Sequence, residues 1–395
     1  MTDIKKFRIR SIDGIRGLSL LGILLANMLI FQYGMWGKDE IKLYSLNSID
    51  HIFYLITKIA VEGSFMPIFT FLFGYSMIKM NESLKAKGLK MKRYFVRRYI
   101  MLLALGILHG TFLWEGDILA FYGMVGFFLL LFLNRKRKTI FIWAIILLFL
   151  IPFLGYGNAD FTGEEKVQII NYVKTTIDVY GSGSYAEIMA HRDVMPLDFP
   201  PALVIFMLLL IPFVSAPLFL LGMYAAKINM FTEPNLEKKQ YLVGAMLIPA
   251  GLLLKSSLYI APDFPWSGVL NTLGASLLAL GYIFAFSLMY VKMKESIILR
   301  GFESVGKLSL TNYLLQSVIC TTIFYGYGFG LFGKLGVGLG IIIAVFIYIL
   351  QMIASYYYLK IAKRGPVEIL LRMWTNFSFK GKTKEKLQLK KEFSA

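Results

Sequence analysis

Ten long apolar runs, at roughly residues 17–34, 53–79, 94–114, 118–133, 139–156, 201–226, 241–258, 268–291, 308–332 and 337–359, alternate with polar connectors along the chain. Within each run the apolar residues are continuous, which excludes barrel strands, where lipid-facing and lumen-facing positions alternate. At 1.5 Å of rise per residue, ~20 apolar residues cross a ~30 Å hydrocarbon core with every backbone group paired inside the helix. The pattern predicts an all-α, polytopic membrane bundle of about ten transmembrane helices. One connector differs from the rest. Residues 157–200 carry Asp160, Glu164, Glu165, Asp178, Glu187, Asp193 and Asp198 with Gly-Ser-Gly-Ser at 181–184, and predict a helix over about 163–179 in a loop that is either a lid or a tether. After the last run, Gly365–Phe379 puts Val367, Leu370, Leu371 and Trp374 on one helical face beside Arg364 and Arg372. The chain divides into a transmembrane domain, 1–361, and a segment, 362–395, expected to form an interfacial amphipathic helix followed by a basic tail attracted to anionic lipid.

Charge adds orientation. The 395 residues hold 42 Lys and Arg against 24 Asp and Glu, a net charge of +18, yet 57% are hydrophobic and the mean hydropathy is +0.63. Counted on alternate sides of the ladder of runs, 34 of the basic residues fall on one side and 6 on the other. The positive-inside rule then puts both termini in the cytoplasm, and the basicity reflects topology, with no nucleic acid as partner. The expected partners are the lipid bilayer and a small-molecule substrate, with a homo-oligomer left open. The charged start MTDIKKFRIR, without a small-residue cleavage pattern after the first run, predicts no removable leader. Cys320 stands alone inside a run, and His51, His109 and His191 match no metal-ligand spacing, so no metal is expected.

Candidate chemistry lies where ionisable groups enter the apolar runs, since each costs ~2.5–3.5 kcal/mol at bilayer depth and needs a partner or a task. On the third run, His109 sits about 16 Å beyond Arg98. Glu115 and Asp117 occupy the tight turn that follows, and an acid there suits a helix N-terminus and can hold an imidazole in one tautomer. His109 reads either as a general base or as a packed histidine on a neighbouring carbonyl. Lys58 and Glu62 share one face of the second run; they neutralise each other, or Glu62 serves His109 or a substrate cation. Just beyond, Pro67 is expected to break the hydrogen-bond ladder and kink the helix. Arg16, with Arg97 and Arg98, forms a candidate anion site at the cytoplasmic lip, while Asn27 lies about 16 Å deeper than Arg16. Ser309, Asn312 and Gln316 make a polar stripe on the ninth run, either helix-to-helix fastening or part of a binding site.

The segments RSIDGIRGLSLLGILLANM, EGSFMPIFTFLFGY, LGILHGTFLWEGDILAFYG, GKLSLTNYLLQSVICTTIFYGYGFGLFGKLG and KRGPVEILLRMW resemble the YeiB-like family of bacterial inner-membrane proteins of unassigned function, over nearly the whole chain. More distantly, SIDGIRG followed by an apolar helix is similar to the start of the transmembrane acyltransferase superfamily, which includes heparan glucosaminide N-acetyltransferase. Bacterial enzymes of that superfamily carry a basic residue, ten intervening positions and a catalytic His. Here Arg16 fits the first position and Asn27 stands at the second, while Arg98 and His109 repeat the spacing on the third run. The resemblance implies a multi-pass protein of the bacterial cell inner membrane that passes an acyl group from a cytoplasmic acyl-CoA-type donor to an outer acceptor. In that reading Arg16, Arg97 and Arg98 hold donor phosphates, His109 is the base, Asp117 orients it and Asn27 polarises the acyl carbonyl. The alternatives are a carrier for a small anionic or amphiphilic metabolite, suited by Lys58, Glu62, His109 and Lys255, and a scaffold without chemistry.

Overall fold

The computed structural model describes residues 9–157, 161–293, 296–379 and 381, and among these there are helices and no strands. Every predicted run falls on a helix. Among the described residues, eight helical stretches are long and apolar enough to cross a membrane: α1 (Arg10–Tyr33), α2 (Ser48–Ile56) running into α3 (Phe65–Ala86), α4 (Met91–Phe112), α6 (Arg137–Leu150) with its 3-10 extension to Gly155, α9 (Pro201–Lys227), α10 (Lys238–Ala245) with α11 (Leu247–Ile260), α12 (Ser267–Lys292) and α15 (Val337–Ile361). Two others, α5 (Leu119–Leu129) and α14 (Ser309–Phe324), are apolar but shorter, with 11 and 16 residues. The protein is an integral membrane helical bundle. Its remaining helices are α7 (Gly163–Ser182), α8 (Tyr185–Arg192), α13 (Ile297–Lys307) and α16 (Pro366–Asn376).

The second crossing is broken rather than kinked. After a π turn over Thr57–Val61 the chain leaves helical geometry at Glu62–Ser64, where Gly63 has φ +73°, and restarts at Phe65. Pro67 falls in the first turn of α3, where its missing N–H has no intrahelical acceptor to lose. The proline expected to kink the helix is therefore part of its beginning, and the break precedes it.

Helix α1 runs through the middle of the bundle, packed on α3, α12, α13, α14 and α15. Close helix approach rests on glycine. A Cβ on Gly74 of α3 would stand 2.0 Å from the Phe219 carbonyl oxygen of α9, and one on Gly222 of α9 would stand 1.9 Å from that of Phe71. Such reciprocal contacts replace side-chain bulk by backbone-to-backbone van der Waals contact, the main packing force available in lipid. Gly74→Leu is expected to cost about 3 kcal/mol or more, because backbone on a facing helix has nowhere to move. A large fall in melting temperature of the detergent-solubilised protein, or loss of the monodisperse species, would show it.

Helix α16 lies within the 365–379 stretch expected as an interfacial helix, and one of its faces packs on the bundle. Leu370 and Trp374 remain exposed, but Leu371, Thr375 and Asn376 turn inward, and the helix packs against α4 and α14. Glu368 anchors it, accepting from the Leu310 and Thr311 backbone N–H groups (2.8 and 3.1 Å) and from the Thr311 hydroxyl (2.6 Å), so it caps the start of α14. The expected basic tail from Lys380 lies outside the described residues, apart from Gly381.

Candidate functional site

Helix α4 carries His109 in its last turn, and the chain reverses over Leu113–Ile118 into α5. Close approach of the two helices depends on Gly106, where a Cβ would meet the Ala120 nitrogen at 2.0 Å and Asp117 Oδ2 at 2.6 Å. Asp117 is held from both sides: Oδ2 accepts from the Ala120 N–H at 2.8 Å, and Oδ1 lies 2.8 Å from His109 Nδ1. A carboxylate only accepts, so Nδ1 carries a proton, and in the neutral ring Nε2 is the atom with the lone pair. That Nε2 is buried and has no hydrogen-bond partner among the described residues. The ring packs against Tyr313 and Trp114, with centroids 5.4 and 6.4 Å away, and is 5% exposed. Tyr313 is fixed in turn, its hydroxyl accepting from Ile118 N–H at 3.2 Å and donating to the Gly116 carbonyl at 3.3 Å. An imidazole oriented by a carboxylate, with a free Nε2, is the arrangement of a general base.

A cavity of about 540 Å³ opens between α1, α3, α4, α5, α13, α14 and α16. Its mouth is strongly basic: Arg16, Lys87, Arg98, Lys307, Lys363, Arg364 and Arg372 line it, and among the described residues Glu368 is the one acid in its wall. Arg16 is engaged by Asp13 (3.2 Å) and Ser76 (3.1 Å), whereas Arg98 forms no ion pair among the described residues. Deeper in, the wall turns apolar with Leu20, Phe69, Leu72, Phe73 and Leu102, and it ends on Ile118, Leu119, Tyr122 and Tyr313. His109 is not part of that wall. It stands one side-chain layer behind, across Tyr313.

Residues 225–378 match the family described as "Protein of unknown function (DUF418)". Over 385 residues, 94% of this chain and 95% of the relative, the sequence is 34% identical to the uncharacterised protein YxaH of Bacillus subtilis. The uncharacterised protein YeiB of Escherichia coli is 25% identical over 383 residues, covering 92% of this chain and 95% of the relative. The chain belongs to the YeiB-like family. A further relative, an uncharacterised 39.9 kDa protein encoded beside an amylase in Bacillus acidopullulyticus, is 25% identical over 390 residues, 93% of this chain and 94% of its own.

In this YeiB-like protein the other candidate residues do not all converge. Ser309 lines the cavity, but Asn312 and Gln316 face α15, where Asn312 Nδ2 donates to Ser355 at 2.9 Å and Gln316 Nε2 to Gln351 at 2.8 Å. Both serve as fastening between α14 and α15, the commoner use of such a stripe. Arg97 turns away from Arg98 and lies over the Phe377 ring, 4.7 Å from its centroid, and Asn27 is half-buried on α1 outside the cavity wall. Glu62 is not brought to His109. It joins a ring of alternating charges at the broken crossing, bonded to Lys58 (2.6 Å) and Lys38 (2.7 Å), which both also bind Asp39 (2.6 and 2.9 Å). Burial works to raise the Asp39 carboxyl, but Lys58 and Lys38 outweigh it and hold it below the usual carboxylate range. Lys255, 2% exposed, donates to the freed Glu62 carbonyl and to Ser64 at 3.2 Å.

The 157–200 connector is built where it is described, and it covers the turn that holds Asp117. Capping boxes at Thr162–Glu165 and Ser184–Glu187 start α7 and α8. Tyr180 donates to Glu115 (3.2 Å), Tyr185 to the Phe112 carbonyl (2.7 Å), and Arg192 both meets Glu115 (3.2 Å) and donates to the Gly110 carbonyl. Tyr313, Tyr180 and Arg192 had no local signal in the sequence; only the fold brings them beside His109 and Glu115. Between α7 and α8, His191 stacks on Tyr172 with centroids 4.5 Å apart and meets the Thr176 hydroxyl at 2.7 Å. Burial holds this imidazole below its ordinary value. The folded cap then binds fewer protons than the unfolded one, so the His191 contribution is complete above the ordinary histidine value of about 6.5 and is lost as pH falls below it. Hydrogen exchange in α7 and α8 is expected to quicken at mildly acidic pH, and His191→Gln is expected to remove that dependence.

Proposed function

We propose that this protein is a multi-pass protein of the bacterial cell inner membrane, with its basic face and both ends toward the cytoplasm, that transfers an acyl group from an acyl-CoA-type donor to a hydroxyl or amine arriving from the outer face. The observation that carries the reading is the cavity: a basic mouth, an apolar shaft, and an end wall one layer from an imidazole oriented by a carboxylate. A mouth lined by seven cations calls for a ligand with more than one negative charge, and Arg98, lacking an ion-pair partner among the described residues, gains most from a phosphate. The apolar shaft suits the thioester arm. The acceptor X–H gives its proton to His109 Nε2 while X attacks the thioester carbonyl, the C–S bond breaks, and the leaving thiolate takes the proton from the imidazolium. Asp117 stays ionised throughout and steadies the charged ring. Tyr313 and Ile118 must move aside for donor and base to meet, so closure behind the donor is part of the cycle.

Titration calorimetry of the purified full-length protein with acetyl-CoA tests the first half, and incorporation of labelled acetyl into added acceptors tests the second. Absence of saturable acetyl-CoA binding removes the proposal. A carrier is the second reading, favoured by the broken second crossing and by Lys255 on its freed carbonyl, since broken helices at bilayer depth are where carriers bind solute. Flux into proteoliposomes without covalent product would decide for it.

A further inference from the structure

Twelve buried side-chain N and O atoms lack a hydrogen-bond partner among the described residues, and five of them gather around the α4–α5 turn: His109 Nε2, Trp114 Nε1, Glu115 Oε2, Arg192 Nε and Tyr325 Oη. Buried polar atoms are nearly always satisfied, so a local concentration of unsatisfied ones marks a place prepared for something else. The five belong to one neighbourhood. Trp114 and Glu115 are adjacent in the turn, Arg192 Nε approaches Glu115 Oε2 at 3.2 Å without hydrogen-bond alignment, and Tyr180 links Glu115 to Tyr325, their rings 4.7 Å apart. Trp114 is fully buried, stacked on Phe31 at 4.2 Å and edge-on to His109.

We infer that this cluster, closed by α7 and α8, is the acceptor subsite, and that the acceptor is a small dipolar molecule bearing an amine and a carboxylate. The inference rests on the acyl-transfer reading and names the acceptor class for it. The chemistry of the loose ends selects the class. Trp114 Nε1–H asks for an acceptor, and Arg192, held to Glu115 by charge at 3.2 Å without hydrogen-bond alignment, can exchange that contact for a ligand carboxylate aligned with its Nε–H. Glu115 Oε2 and His109 Nε2 ask for donors, and an ammonium supplies several. Tyr325 serves either side. A polyol would meet the hydrogen-bond count but brings no charge to exchange for the Arg192–Glu115 pair, whereas a dipolar molecule set between them keeps both charges paired. In the reaction the ammonium passes one proton to Glu115 and a second to His109 as nitrogen attacks the thioester carbonyl. The C–N bond forms, the C–S bond breaks, the thiolate takes the proton from His109, and Glu115 releases its proton to the outside. The products are an amide, the free thiol and one proton.

Entry requires α8 to lift, parting Tyr185 from Phe112 and Arg192 from Gly110. Glycine is the simplest probe, set against ethylamine, acetate and glycerol, with Trp fluorescence or calorimetry on the full-length protein in the absence of donor. Saturable glycine binding about tenfold or more tighter than that of each comparison compound is expected, because a site built for two groups rejects a molecule lacking one. Arg192→Gln and Glu115→Gln are expected to weaken glycine about tenfold while acetyl-CoA binding by the same variants is kept, and Arg192→Lys to restore part of the loss. Glycerol binding as well as glycine, binding of no probe, or full glycine affinity in Arg192→Gln overturns the inference. Retained acetyl-CoA binding in any of these outcomes leaves the donor cavity standing, so the two readings fail separately.

Discussion

His109→Ala is expected to lower the transfer rate by about two to four orders of magnitude while leaving acetyl-CoA affinity within about twofold. The split follows from geometry: the imidazole lies behind Tyr313, outside the donor cavity, so its loss touches proton transfer and not donor binding. Asp117→Asn should approach the same loss for a different reason. An amide offers Nδ1 a donor as readily as an acceptor, the preference for the Nδ1–H tautomer goes, and Nε2 no longer keeps its lone pair. The amide can still accept from Ala120, which preserves the turn. Single-turnover transfer by both variants, with donor affinity measured alongside, checks this. Wild-type rates in His109→Ala would reduce the pair to a packing device.

The second large effect is expected at Arg98. Arg98→Leu should weaken acetyl-CoA by about thirtyfold or more, since truncating one partner of a buried charged contact costs ~2–5 kcal/mol. Arg97→Leu, one position away but laid over Phe377, should change donor affinity little. The contrast matters more than either value. Both arginines look equivalent in sequence, and successive residues of a helix point ~100° apart, so only one of them can serve the cavity. Donor affinity in wild type should also fall steeply with salt, and less steeply in Arg98→Leu. Equal losses at the two positions would indicate a general surface attraction.

How much of this was readable beforehand differs from residue to residue. His109 and Asp117 are eight positions apart across one tight turn, so their meeting is a local event that helix geometry anticipates. Lys58 and Glu62 are one helical turn apart, and they pair for the same reason. Glu62 was also open to a role at His109, and what turns it elsewhere is Lys38, brought in by the connector after α1. Asn312 and Gln316 looked equally fit for substrate until α15 supplied Ser355 and Gln351. Helix α16 shows the limit of amphipathic patterning. Its pattern gives a helix with an apolar face, but only the fold shows Glu368 capping the start of α14 and holding the helix at the cavity mouth.

By itself the sequence determined that this chain is a bundle of membrane-crossing helices, because in lipid each backbone group must be satisfied within its own segment, and that demand is written in continuous apolar length. Hydropathy, charge placement and turn chemistry are all short-range, and they sufficed for the elements. The tertiary structure alone decided which polar groups share a site. A cavity wall drawn from seven helices, a tyrosine from α14 beside a histidine on α4, and a cap whose Arg192 reaches Glu115 all depend on contacts between residues far apart in the chain. No local pattern encodes such contacts, since their energy exists only once the helices have packed.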